Sequence, residues 1–289
     1  MRIKLFQNII DILRGKKHKI NENICKPNNC TNACEIEKLR KIKYKKLKQI
    51  LKEEQINDEG KYSFINKETI EKYQIKDTNN ISSHPYCQEA LEIIDKYKDG
   101  LILDCGAGYR SHYYKNVINY EIANYETTDI LGVGEELPFK DNSFDAVFSF
   151  AVMEHVTNPN KCMQEIARVL KPNGILVFDA CFMQPWHGYP DHYFNITPSG
   201  ALLLLFNAGL KSKKQWVSDN FHPIYTLKWY LQLWHNALSQ NNKIDFENLK
   251  IKDILKRPIN KAISQEWCNL SETNKYLLCA GTRVIAKKD

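Results

Sequence analysis

The sequence has no apolar run approaching the roughly 20 residues that a membrane-spanning helix requires, and its longest apolar block, Ala201 to Phe206, is followed by Asn207 and Gly209 and reads as a buried helix. No secretory leader is evident either. Met1 to Leu13 carries Leu5, Phe6, Ile9, Ile10 and Leu13 at helical spacing, interrupted by Gln7, Asn8 and Asp11, with neither a continuous apolar core nor a small-residue cleavage site. An even disulfide framework is also lacking, because the chain holds 9 cysteines scattered along 289 residues. That count fits a reducing compartment, so the expectation is a cytoplasmic protein. Residues 1–80 hold no Gly/Ser linker and no detectable repeat. Past residue 80 there is almost no net charge, with 22 Lys+Arg against 23 Asp+Glu, whereas residues 1–80 hold 19 against 11. Any basic function therefore belongs to the amino-terminal portion.

What is present divides the chain at about residue 80. Residues 1–80 read as a helical, basic extension, with an amphipathic helix over Ile36 to Gln55 that places Ile36, Leu39, Ile42, Leu47, Ile50 and Leu51 roughly on one face. Residues 81–289 read as an α/β domain. Ala90 to Tyr97 predicts a helix, and Leu101 to Asp104 a buried strand. Further strands are expected over Asn116 to Glu121, Thr128 to Val133, Asp145 to Phe150 and Gly174 to Ala180, with a helix over Pro159 to Leu170. Such alternation predicts a Rossmann-like parallel sheet with helices on both faces. Thr197-Pro198-Ser199-Gly200 opens a further helix through a hydroxyl cap and an early proline. Lys214 to Ser218 and Leu277 to Ala286 are candidate last strands, on either side of an aromatic-rich helical insertion at about 221–274.

The chemistry begins at Leu101-Ile102-Leu103-Asp104-Cys105-Gly106-Ala107-Gly108. An apolar strand delivers Gly106 and Gly108 into a tight turn, where the missing Cβ lets backbone approach a ligand and adopt positive φ. In open parallel sheets, ligands bind at the carboxyl ends of the strands. Four stretches then follow in order: Glu135-Glu136-Leu137-Pro138-Phe139, Ser143-Phe144-Asp145, Ala151-Val152-Met153-Glu154-His155-Val156, and Arg168-Val169-Leu170-Lys171-Pro172-Asn173-Gly174. Together these resemble the class I S-adenosylmethionine-dependent methyltransferases over about residues 82–215, and Ala280 to Ala286 is similar to that family's last strand. The resemblance implies a seven-stranded, mainly parallel sheet and S-adenosylmethionine as cofactor. It sets Asp104, Gly106 and Gly108 beside the methionine and ribose portions, and Glu121 on the ribose hydroxyls, whose two O–H groups suit the two oxygens of a carboxylate. The alternative for Glu121 is an exposed residue at a strand end. Glu135, Leu137 and Phe150 are assigned to the same cofactor. Two departures stand out: Arg110 occupies a position that is usually small, and Val133 the position of an acidic adenine contact, for which Glu135 or Glu136 is the substitute.

A second informative stretch, Gln184 to Thr197, is dense in His, Tyr, Trp and Asp and reads as a substrate-facing loop. Methyl transfer from a sulfonium is an in-line displacement that relies on alignment, and a hydroxyl acceptor also needs a base. His187 is the first candidate base, with Asp191, His192 and His155 as alternatives. A packing role is the plain alternative for each histidine. Cys25, Cys30 and Cys34 form the one conceivable metal constellation, but their spacing is irregular for zinc and unligated thiols are expected, so no metal is assigned. Lys38 to Lys48 holds seven basic residues, either a solvated helix face or a track for phosphates. Trp229, Tyr230 and Trp234 are expected in a core or over a pocket. The function expected is methyl transfer to an oxygen or nitrogen of a small molecule or saccharide. An RNA methyltransferase using the basic extension, and a non-catalytic module of the same fold, are the alternatives.

Overall fold

The apolar runs expected as strands pair side by side in one parallel sheet, in the computed structural model, which describes residues 31–76, 82–188, 191–278 and 280. Two compact units divide the described residues: 31–76, 82–182, 188 and 191–215 form one, and 183–187, 216–278 and 280 the other. The first unit holds strands β1 (Tyr62–Ser63), β2 (Ile102–Cys105), β3 (Val117–Glu121), β4 (Ile130–Leu131), β5 (Phe144–Ser149) and β6 (Leu170–Phe178). Their order is β1-β4-β3-β2-β5-β6, and every neighbouring pair is parallel.

Side-chain alternation explains why the sheet is covered on both faces. Leu103, Cys105, Ile118, Tyr120 and Val147 enter one apolar cluster. Their neighbours Ile102, Val117, Ala146 and Phe148 enter another. A strand buried on both faces must be apolar at consecutive positions, as Leu101-Ile102-Leu103 is. Helix α1 (Ala33–Ile50), α4 (Pro159–Val169) and α5 (Pro198–Asn207) supply the first cluster, and α3 (Gln88–Lys96) the second. A short α2 spans Lys67–Lys72. Side-chain caps fix several starts: Asn32 accepts from the Glu35 amide at 3.0 Å, Asn158 from Lys161 at 3.0 Å and Thr197 from Gly200 at 3.0 Å.

The basic amino-terminal helix is built into this unit. Leu47 and Leu51 lie in the first cluster, and Tyr62 provides the edge strand β1, which the helical reading of residues 1–80 did not foresee. The helix also stops earlier than expected, at Ile50, because Leu51 turns extended and bridges to Phe139. Its basic residues are partly consumed by the fold. Lys43 has no exposed surface, pairs with Asp129 at 2.7 Å and lies 3.3 Å over the Tyr113 ring. Arg40 donates to the carbonyl of Thr128 at 3.3 Å, and Lys46 to that of Gly100 at 3.2 Å.

One expected strand is not found among the described residues, and most of another lies outside them. Lys214 to Ser218 is irregular and exposed as far as Val217, since its polar residues offer no apolar face to pack. Leu277 and Leu278 close a helix, and residues 281–289 lie outside the described residues, so six strands are counted among those described. Cys25 and Cys30 of the thiol set also lie outside them, and Cys34 is an exposed thiol.

The second unit carries α6 (Pro223–Ala237), α7 (Gln240–Glu247), α8 (Ile251–Lys256), α9 (Ile259–Ile263) and α10 (Glu272–Leu278), the helical insertion expected from the sequence. Trp234 organises it. Its indole N–H donates to the Trp267 carbonyl at 2.8 Å while its ring stacks on Phe246 at 6.1 Å. His187 belongs to this unit and packs on Trp229 at 5.2 Å. No described helix is long and apolar enough to cross a membrane.

Candidate functional site

Parallel strands gather their carboxyl ends along one edge, and the chain's carboxylates collect there. Asp104 and Glu121 occupy the same pleat face near the ends of β2 and β3, the face whose other members are Ile102 and Val117. The turn between Asp104 and Arg110 needs its glycines. Gly106 has φ +78°, and an added Cβ would lie 2.3 Å from Val152; Gly108 has φ +62°, and a Cβ there would lie 2.6 Å from the Ser82 carbonyl. No L side chain is comfortable in either place. The turn is pinned to β3 by the amides of Gly106 and Ala107, which donate to the Tyr120 carbonyl at 2.9 and 3.1 Å.

Glu121 is buried, which removes the reading of an exposed strand-end residue. Its Oε2 accepts from the Gly108 amide at 2.8 Å and its Oε1 from the Ile122 amide at 2.8 Å. Burial pushes its carboxyl above the ordinary range, against the pull of those amides. The carboxylate is thus held rigidly beneath the glycine turn, with lone pairs remaining for a diol.

Asp104 is fully buried and bound on one side only. Its Oδ2 accepts from Arg110 Nε at 2.8 Å, from Arg110 Nη2 at 2.8 Å and from the Tyr86 hydroxyl at 2.5 Å, whereas Oδ1 has no partner. Arg110, the departure from the family pattern, thereby acquires a role: its guanidinium neutralises Asp104, donates to the His84 carbonyl at 2.6 Å and lies 4.2 Å over the Tyr86 ring. The segment Ser82 to Tyr86 crosses the carboxyl edge through these contacts and through Ser82, whose carbonyl accepts from the Tyr109 amide at 2.8 Å.

The remaining expected cofactor residues are structural in their visible contacts. Glu135 Oε1 accepts from the Thr157 amide at 2.9 Å, its hydroxyl at 3.0 Å and the Asn158 amide at 3.2 Å, bracing the entry to α4. Glu136 binds Lys72 and the Tyr73 hydroxyl. Leu137 is buried, with its amide on Glu165 at 3.0 Å. Phe150 is half-buried and stacks on Phe148 at 5.6 Å. Val133 is buried, and its carbonyl accepts from the Tyr120 hydroxyl at 2.9 Å.

Of the candidate bases, three come together in the first unit. His155 bonds through Nδ1 to the Asp191 carbonyl at 2.7 Å, which puts the proton on Nδ1 and makes Nε2 the basic nitrogen. His192 lies 5.9 Å from it, ring to ring, and bonds through Nε2 to the Phe194 carbonyl at 3.0 Å. Burial, then the nearby His155, lowers the His192 pKa. The Asp191 carboxylate is paired with Lys76. His187 falls in the second unit, where its Nδ1 lies 2.9 Å from the Pro185 carbonyl. Three groups escaped the sequence reading. Ser149 ends β5, Asp179 follows β6, and Glu154 stands inside a quoted motif, yet only its burial marks it out.

Residues 104–178 match the family model described as a methyltransferase domain. An uncharacterized protein of Methanocaldococcus jannaschii is 37% identical over 98 residues, covering 30% of this chain and 43% of its own length. A ubiquinone/menaquinone biosynthesis C-methyltransferase of Psychromonas ingrahamii is 38% identical over 68 residues, 22% of this chain and 27% of that protein. A tRNA U34 carboxymethyltransferase of Cellvibrio japonicus is 23% identical over 203 residues, 62% of this chain and 55% of that protein. The matches thus span between about a quarter and just over half of these relatives' own lengths. The glycine turn, the carboxylate ending β3 and the motifs that follow all lie within residues 104–178, the part of the chain that matches a methyltransferase domain.

Proposed function

We propose that this protein transfers a methyl group from S-adenosylmethionine to an oxygen or nitrogen of a small molecule or saccharide. The observation that carries this reading is the Glu121 carboxylate fixed under the positive-φ turn of Gly106 and Gly108, beside an Asp104 oxygen that is buried without a partner. Those residues fit the cofactor chemically. Glu121 offers acceptors to a ribose diol, and Asp104 Oδ1 offers one to an ammonium group, while Arg110 keeps the other oxygen neutralised. When bound, S-adenosylmethionine supplies an electrophilic methyl carbon that is displaced in line from sulfur.

The chain's own contribution is alignment, exclusion of water and management of one proton. His155 is the base this geometry favours, because its tautomer is set by Asp191 and its basic nitrogen stands beyond the end of β5. His187, His192 and Asp191 remain the alternatives, and turnover of His155→Ala, His187→Ala and His192→Ala on a common acceptor separates them.

Calorimetry with S-adenosylhomocysteine tests the central reading. The parent chain is expected to bind saturably, and Glu121→Ala to bind at least about tenfold more weakly, since two hydrogen bonds to a charged group are removed. A folded parent that takes up no ligand would sink the proposal.

A further inference from the structure

Buried polar atoms without hydrogen-bond partners are uncommon, and each needs a physical reason. Among the described residues, four of five such atoms stand at or just past the carboxyl ends of β2 and β5: Asp104 Oδ1, Ser149 Oγ and both carboxylate oxygens of Glu154. Glu154 is the extreme member. It is fully buried, and its backbone is fixed by the Tyr193 amide, which donates to its carbonyl at 2.7 Å. Nearby carboxylates are compensated, Asp104 by Arg110 and Glu165 by Arg168 at 2.7 Å. Glu154 makes no side-chain hydrogen bond among the described residues, and His155 Nε2 stands 3.8 Å from its Oε1, too far for one.

A second carboxylate adds to the deficit of positive charge. Asp179 follows Phe178, the register partner of Ser149, and its amide donates to the Ser149 carbonyl at 2.9 Å. Burial, then repulsion from Glu154 and Glu89, pushes its carboxyl up to about 6. Glu154 is buried and Asp179 half-buried, and carboxylates that repel one another there without a cation are costly; a fold retains them where a ligand supplies the missing charge.

We propose that Glu154, with Ser149 and Asp179 beside it, forms the acceptor subsite and receives a protonated amine. The two orphan Glu154 oxygens offer acceptors to two N–H groups of an ammonium ion, leaving the third for His155 Nε2, and the carboxylates match its charge. This narrows the methyl acceptor to a cationic nitrogen compound, amino sugars included, and it rests on the methyltransferase reading above. One N–H proton passes to His155 Nε2 and its bonding pair stays on nitrogen. That pair forms the new N–CH3 bond as the S–CH3 pair departs with sulfur.

The test is a thermal-shift comparison on the full chain saturated with S-adenosylhomocysteine. The probes are n-butylammonium, cyclohexylammonium and phenethylammonium chlorides against their isosteric alcohols, at matched ionic strength. Each ammonium ion should raise Tm by about 2 °C more than its alcohol, the shift that mass action gives for millimolar binding. Glu154→Gln should erase that difference while leaving the S-adenosylhomocysteine shift in place, and Asp179→Asn, a milder change, should reduce it. Equal shifts from ammonium ions and alcohols in the parent, or an ammonium advantage that survives both substitutions, would overturn the subsite. Loss of the S-adenosylhomocysteine shift with the ammonium advantage intact would instead count against the methyltransferase reading alone.

Discussion

Lys43 is the most informative residue to remove, because the two readings of the basic helix diverge on it. On a solvated or phosphate-tracking face, Lys43→Met would change stability by no more than about 0.5 kcal/mol. In the structure Lys43 and Asp129 are both without exposed surface and 2.7 Å apart. Burial pushes the Lys43 ammonium down to about 8 in spite of that partner, so the pair as a whole is not a large source of stability. The cost of the substitution arises from stranding Asp129. Losing one partner of a buried pair typically costs about 3–5 kcal/mol. Asp129 would keep the Asn119 amide at 2.8 Å, the Tyr113 hydroxyl and Arg40 at 3.7 Å, which favours the low end, about 3 kcal/mol. Urea unfolding of Lys43→Met, Asp129→Asn and the double variant closes the cycle. The double variant should recover most of the loss, with a coupling of about 2 kcal/mol. A Lys43→Met protein within about 0.5 kcal/mol of the parent would refute the reasoning and return the helix to solvent.

Gly106→Ala should lower folded stability by about 2–3 kcal/mol, from a Cβ 2.3 Å from Val152 on a residue at φ +78°; an unchanged Tm would show the turn to be more permissive than its geometry. Asp179 gives a pH signature. Its folded pKa of about 6 lies above the ordinary 3.8, so between those values the folded state binds more protons than the unfolded one, and stability falls as pH rises through that window. The loss should reach about 2 kcal/mol by pH 7 after allowance for partial exposure. Asp179→Asn should flatten the slope, and an equal slope in both proteins would clear Asp179 of it.

Much of the fold was legible because local pattern and tertiary environment agree. Consecutive apolar residues in Leu101 to Leu103 and Ala146 to Phe148 announce strands covered on both faces, and Thr197-Pro198 announces a helix start that its hydroxyl does cap. The edge strand Tyr62–Ser63 was not legible, since two residues carry no periodicity and gain their state only by lying along β4. The candidate site divides similarly. Asp104, Gly106, Gly108 and Glu121 were readable from a turn that demands glycine and a carboxylate at a strand end. Glu154 and Asp179 were not, because nothing in a sequence tells that a carboxylate will be buried without a partner.

The sequence by itself determined the methyltransferase-domain motifs, the alternation of strands and helices, and the glycine turn, since each depends on residues adjacent along the chain. Only the tertiary structure decided how charge is distributed. It buried Lys43 against Asp129 instead of presenting it to phosphates, folded Arg110 back onto Asp104, and gathered His155 and His192 near a Glu154 whose oxygens have no hydrogen-bond partner among the described residues. Electrostatic energies depend on distance and burial between residues far apart in sequence, and those quantities exist only once the chain has folded.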